Sequence, residues 1–316
     1  MDLVSIDDVR AAAKALDGVA VRTPVLACPW AGGPGLWVKA ENLQPIGAFK
    51  LRGAYNAVSR IPAGTRANGV VTHSSGNHGR ALAYAAREFG VPAAVVMPDV
   101  APPVKIEAVR ALGAEVVLIE PAERLSTTTR IAAERGMTVV PPFDDRQVIA
   151  GQGTVGLEIV EDFPRVEVVL VPVGGGGLAS GVATAVKALR PDVRVYGVEP
   201  ELAAETAEGL RLGHMVTWPE AQTYRTVADG VRTAPSELTF AHMRERLDGI
   251  VTVDEDRIRA AVGLLAREAN LVVEPSGALG VAAYLDGGKF DAGRTVAVLS
   301  GGNLDPKLLA ELVTQP

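Results

Sequence analysis

The most constraining feature of this chain is an alternation of short β-branched apolar runs with stretches of helical periodicity. Residues 69–73, 93–97, 115–119, 137–140, 166–173, 193–198, 250–253 and 295–299 read as strands, apolar on both faces and so expected to be covered by helices above and below. Between them, residues 80–89 set Leu82, Ala86 and Phe89 on one helical face, with Gly90 as C-cap and Pro92 as stop. Residues 103–112 repeat the plan and end at Gly113. Strands and helices in this order join as a parallel sheet with helical crossovers, which predicts an α/β protein. Residues 1–16 read as an acidic amphipathic helix capped at Ser5-Ile6-Asp7-Asp8. Residues 202–232, more polar and less regular, are expected to form loops over a site mouth.

At 316 residues and 48% hydrophobic, the chain can build an ample core as two domains or one large one, and is not disordered. Its net charge of −6 comes from interspersed acids and bases with no basic block, which argues against nucleic acid or an anionic membrane as partner. Cys28 is the only cysteine, so no internal disulfide and no cysteine-based zinc site can form; a reducing cytoplasm fits. The four histidines lack metal-ligand spacing. No signal peptide and no apolar run of about 18 residues is present, so a soluble protein is expected.

Three stretches carry chemistry. Lys50 lies in Ile46-Gly47-Ala48-Phe49-Lys50-Leu51-Arg52-Gly53-Ala54, where an extended run passes into a helix pattern. Burial behind Phe49 and the positive end of a helix dipole both disfavour an ammonium, and a neutral lysine amine is a nucleophile suited to forming a Schiff base with an aldehyde. An ordinary helix-start lysine is the bland alternative. The strand over residues 166–173 runs into Gly174, Gly175, Gly176, Gly177 and Leu178 and then a helix to Leu189, a turn whose backbone N–H groups can converge on a phosphate. It is not a P-loop, since no Gly-Lys-Ser/Thr follows. Gly174, Gly176 and Ala179 also satisfy a relaxed dinucleotide fingerprint with Glu199 placed for a ribose, so an NAD-dependent oxidoreductase is the rival reading; it gives Lys50 no task. Finally, Ser74-Ser75-Gly76-Asn77-His78-Gly79 puts hydroxyls, an amide and helix-start N–H groups at the carboxyl edge of a parallel sheet, where a substrate carboxylate would fit; a plain helix N-cap is the alternative.

Taken together and in order, these stretches resemble the threonine dehydratase and serine racemase family of pyridoxal-phosphate (PLP) enzymes. The likeness also draws on Glu41-Asn42-Leu43-Gln44-Pro45, Ala150-Gly151-Gln152-Gly153-Thr154, Ala228-Asp229-Gly230, Glu274-Pro275 and Ser300-Gly301-Gly302-Asn303. It implies the fold-type II architecture: two open, twisted, mostly parallel sheets, with a small mobile domain (residues 50–140) inserted in a large PLP-binding one (residues 1–49 and 141–316). It implies that Lys50 carries PLP as a Schiff base and moves the substrate α-proton, that Phe49 and Asn77 hold the pyridine ring, that Gly174, Gly175, Gly176, Gly177 and Leu178 bind its phosphate, and that Ser300 meets the ring nitrogen. Ser74, Ser75, Asn77 and His78 would cradle the substrate carboxylate. Ser75 would be a second acid/base on the far side of the Cα, and Arg124 would be a substrate-side arginine. A divalent cation such as Mg2+ would sit at Glu199, the carbonyl of Ala203, and Glu205, the last standing where the family more usually has Asp; two surface acids near a turn are the alternative.

The implied activity is dehydration of a β-hydroxy amino acid such as L-threonine or L-serine to a 2-oxo acid and ammonia, by a cytoplasmic homodimer. Serine racemisation with side dehydration, or 3-hydroxyaspartate dehydration, are alternatives of the same chemistry; a silent binding protein is a further one. Ala48 departs from the family's commoner Ser, which leaves fine substrate preference open. No appended amino-acid sensor follows the Ser-Gly-Gly-Asn segment, so feedback control through one is not expected.

Overall fold

The computed structural model describes residues 2–32, 35–74, 76–287 and 293–314. Ser5 and Asp8 cap each other reciprocally to start α1 (Ile6–Ala15), so the helix begins at Ile6 rather than Met1. Two strands that the alternation does not announce follow, β1 (Val25–Ala27) and β2 (Leu36–Lys39). The chain continues through α2 (Lys50–Arg60), α3 (Ala63–Arg66), β3 (Val70–His73), α4 (Asn77–Phe89), β4 (Ala93–Pro98), α5 (Pro103–Arg110), β5 (Glu115–Ile119), α6 (Arg124–Arg135) and β6 (Thr138–Val139). Next come α7 (Arg146–Asp162), β7 (Val168–Pro172), α8 (Gly177–Leu189) and β8 (Arg194–Pro200). The remaining elements are α9 (Glu205–Leu212), α10 (Glu220–Thr223), α11 (Glu237–Arg246), β9 (Gly249–Val253), α12 (Glu255–Glu268), α13 (Pro275–Leu285), β10 (Thr295–Val298) and α14 (Pro306–Thr314).

Among the described residues, ten strands make two sheets. One has the order β5-β4-β3-β6 and is parallel throughout. The other has the order β1-β2-β10-β7-β8-β9, parallel except for β1. All eight strands expected from the sequence form, with ends moved by a residue or two, but burial on both faces fails at the sheet edges, where β5 and β6 expose Leu118 and Val139 and β9 is mostly half-buried. The last strand, β10, lies in the middle of the larger sheet, between β2 and β7.

Residues 202–232 differ from the expectation of loops. They contain α9, α10 and a 3-10 turn at Asp229–Val231. Glu205 and Glu208 in the first turn of α9 suit its dipole, and Gly213, at φ 81°, ends it; the polar composition hid both signals.

Each sheet has its own core. Val58, Leu82, Val95 and Met97 pack with their neighbours around the smaller sheet, and Val169, Val171, Val182 and Val296 with theirs on one face of the larger. Helices α7 and α8 cross at backbone contact: a Cβ on Gly181 would stand 2.5 Å from the Gly153 nitrogen and 2.4 Å from the Ile149 oxygen. No described helix is long and apolar enough to cross a membrane.

Candidate active site

The loop before α2 is held as a strand-like edge against the segment after β10. Ala48 bridges Gly301, the Phe49 N–H donates to the Ser300 carbonyl at 3.0 Å, and the Gly302 N–H donates to the Gly47 carbonyl at 2.9 Å. Gly47 makes the turn at φ 75°. Lys50 is the first residue of α2, where the sequence puts it. Its amine donates to the Pro142 carbonyl at 2.6 Å and lies 5.1 Å from the centroid of the Phe49 ring. Lys50 keeps some exposed surface, yet the protein packed around it desolvates the amine and pushes its pKa down to about 8. The result is a lysine that is reachable and loses its proton readily.

The glycine turn lies beside it. Phe143, next to the residue that seats the Lys50 amine, covers the turn closely: a Cβ on Gly175 would stand 2.3 Å from its ring. A Cβ on Gly174 would meet the Val231 backbone at 2.7 Å, and Gly176 takes φ 83°, so side chains are excluded along the turn. Gly177 opens α8 and Leu178 is buried behind it, which leaves first-turn N–H groups facing a shallow backbone cradle. Pro142 and Phe143 thus set the amine and the anion cradle side by side. Sequence reasoning missed both; the Pro141-Pro142 pair before Phe143 was the available signal of a fixed turn.

At the start of α4, Ser74 Oγ accepts from the Gly76 N–H at 3.2 Å. Ser75 lies outside the described residues. Asn77 is committed at both ends of its amide: Nδ2 donates to Glu274 at 2.6 Å, and Oδ1 accepts from Asn303 at 2.7 Å. Asn303 also bonds the Ile46 carbonyl and Arg80. Burial, with the Asp229 charge nearby, pushes Glu274 up to about 7. This carboxyl, read from the sequence only as part of a resemblance, is the centre of the network that fixes Asn77.

His78 differs from expectation. Its Nε2 stands 2.9 Å from the Val140 carbonyl, which can only accept, so Nε2 carries the hydrogen. Burial and the Lys50 charge push its pKa down to about 3, so the ring is neutral and its buried Nδ1 is a bare acceptor. The side chain therefore has no donor for a carboxylate; the backbone N–H of His78, in the first turn of α4, does. Arg124 opens α6 and pairs with Glu220 at 3.1 Å, with Tyr224 at 3.5 Å. Together with burial, its charge lowers the pKa of His73, at the end of β3.

Ser300, 5% exposed, follows β10. At the far end of β8, Glu199 accepts from the Thr206 N–H at 3.1 Å and the Ala207 N–H at 2.8 Å. Burial pushes it up to about 8, and burial also raises Glu205. Glu199, Glu205 and Ala203 are all buried, not surface groups, and with the unpartnered Thr206 hydroxyl they are the oxygen-bearing residues that could hold a cation here.

Two open, mostly parallel sheets with an easily deprotonated lysine beside a glycine turn share the architecture of fold-type II PLP enzymes. The chain belongs to the family described as pyridoxal-phosphate dependent enzyme, whose model matches residues 17–301. It is similar to the L-threonine ammonia-lyase of Thermotoga maritima, at 41% identity over 99% of this chain and 79% of that protein. It is also similar to the L-threo-3-hydroxyaspartate ammonia-lyase of Saccharomyces cerevisiae, at 38% identity over 97% and 95%. The solved structure of maize serine racemase overlays with a TM-score of 0.94 at 35% identity, covering 98% of this chain and 97% of that one.

Proposed function

We propose that this chain is a PLP-dependent ammonia-lyase that dehydrates a β-hydroxy amino acid, L-threonine or L-serine, to the 2-oxo acid and ammonia. The observation that carries the proposal is the Lys50 amine, lowered to about 8 and seated beside the glycine turn. An NAD enzyme has no use for such an amine.

Lys50 would hold the cofactor through its amine, with Phe49 and Ser300 beside the ring and Gly174, Gly175, Gly176, Gly177 and Leu178 around the phosphate. When bound, PLP supplies an electron sink that makes the substrate α-proton removable and lets the β-hydroxyl depart. Lys50 Nζ takes that proton. Ser300 would offer the cofactor ring a neutral hydroxyl rather than a carboxylate, which would suit prompt loss of a β-substituent. Ser74 and the backbone N–H groups of Asn77 and His78 would bind the substrate carboxylate, and Arg124 would be a substrate-side arginine. Residues 50–140 act as a small domain that closes over the substrate and excludes water; the separate core of the smaller sheet supports this. Glu199, the Ala203 carbonyl and Glu205 bind a divalent cation. A cytoplasmic homodimer completes the reading, supported by the resemblance and by the solitary Cys28.

Purified protein should be yellow, and Lys50→Ala should lose both the colour and all lyase activity. Persistence of both in the variant would refute the assignment. A panel of L- and D-serine, threonine and 3-hydroxyaspartate, with magnesium or with EDTA, fixes the substrate and the cation together. The likeness to maize serine racemase supports racemisation as a second activity, with Ser75 delivering a proton opposite Lys50. Ser75→Ala should then keep elimination of the L-substrate while D/L interconversion disappears.

A further inference from the structure

Under the first turn of α2 lies a closed set of charges that the chemistry above does not use. The Arg52 guanidinium forks onto Glu41 (Nε–Oε2 2.8 Å, Nη2–Oε1 2.8 Å) and onto Glu158 (Nη1–Oε1 2.6 Å, Nη2–Oε2 2.9 Å). Thr154 Oγ1 at 3.1 Å and the Val21 carbonyl at 3.2 Å occupy the rest of the fork. Lys39 donates to Glu158 and to the Thr23 carbonyl, both at 2.6 Å, while the Thr23 hydroxyl donates to Glu41 at 2.6 Å. The side chains of Lys39 and Glu41 are 0% exposed, that of Arg52 is 1% and that of Glu158 is 12%. Burial alone would raise Glu41, yet the Arg52 charge holds it below the ordinary carboxylate range.

Two cations face two carboxylates, and desolvation offsets most of what their attraction contributes. What such a set does confer is geometry, because a planar fork with every nitrogen engaged has one orientation. The partners belong to three other parts of the fold: Lys39 to β2, Glu41 to the turn at Glu41–Leu43, and Glu158 to α7. Successive helical residues are set about 100° apart, so Lys50 and Arg52 leave α2 about 200° apart, on opposite sides. Leu51, between them, is buried in the cluster with Ile46 and Ala48, and Gly53 is pressed on α7.

We propose that Arg52 is a positioning residue for the lyase: bolted to Glu41 and Glu158, it fixes the rotation of the first turn of α2 and so aims the Lys50 amine at the cofactor cradle. This rests on Lys50 being the reactive amine. Displacing a reacting group by about 1 Å can cost about 10²-fold in rate. The guanidinium is needed for its fork, which a lysine lacks.

The test compares full-length wild type with Arg52→Lys and Glu158→Gln. In apoprotein, arylation of Lys50 by trinitrobenzenesulfonate is followed against pH by peptide mapping. In PLP-loaded protein, the fraction of cofactor fixed on Lys50 by borohydride, kcat, KM and the melting temperature are measured. Arg52→Lys should shift the pH profile of Lys50 arylation and cut kcat at least ~10-fold, with KM within ~3-fold. Glu158→Gln should move both in the same direction by less. Unchanged Lys50 arylation and kcat in folded Arg52→Lys, accompanied only by a lower melting temperature, would overturn the proposal. If Arg52→Lys does not fold, the same result in Glu158→Gln overturns it. A wild type that fixes no cofactor on Lys50 sinks the functional reading instead, and the arylation profiles still decide the role of Arg52.

Discussion

An amine and a carboxyl near the cofactor cradle act on stability with opposite signs of pH dependence. In the folded protein Lys50 is lowered from 10.5 to about 8, so between those values the unfolded chain binds more protons. The stability of the apoprotein should therefore rise as pH climbs from about 8 to 10.5, and at pH 7 the lysine is a liability. Lys50→Met should raise the melting temperature of the apoprotein at pH 7 and remove that rise; a variant that melts lower than wild type would contradict this. Glu274 is raised from 4.5 to about 7, so here the folded state holds the extra proton. Its contribution should be lost as pH rises from about 4.5 to about 7, and Glu274→Gln should flatten that decline in chemical denaturation measured across the window. At this scale the sequence was informative where local chemistry is self-contained, as at Lys50. It gave Arg52 and Glu41 only as members of matching stretches and nothing of their burial with Lys39, because charged residues read as solvated until three elements close over them.

Among the elements, the strands buried on both faces were legible from composition alone. The two that were not have clear reasons: β1 is three residues long and largely exposed, and β2 ends in a lysine whose burial depends on Glu158, some 119 positions away. The glycines of α7 hide it as well, since Gly151, Gly153 and Gly156 weaken its helical pattern while allowing α2 and α8 to approach. That approach is testable. Gly181→Ala would push a methyl into the Ile149 and Gly153 backbone, and should cost about 1–3 kcal/mol in urea unfolding. Gly175→Ala would drive a methyl into the Phe143 ring; PLP affinity, measured by absorbance titration of apoprotein, should fall well before stability does.

Across the whole molecule, two ion pairs span from the helices of the smaller sheet to the segment carrying α10 and the Asp229 turn. They are Lys105–Asp229 at 2.6 Å and Arg124–Glu220 at 3.1 Å. Partly exposed pairs of this kind contribute at most about 1 kcal/mol each and weaken with salt. Lys105→Ala should raise KM by no more than about fivefold and leave kcat near wild type, and added salt should reproduce the effect in wild type. A large loss of kcat would instead place Lys105 in the reaction. β10 lies in the middle of its sheet although nine described strands precede it in the chain. Until residues 295–302 have left the ribosome, Ala48 and Phe49, just before Lys50, have no Gly301 or Ser300 to pair with. A nascent chain can complete its smaller sheet early, but pigment should appear only once β10 has been made and docked, making colour a readout of that docking.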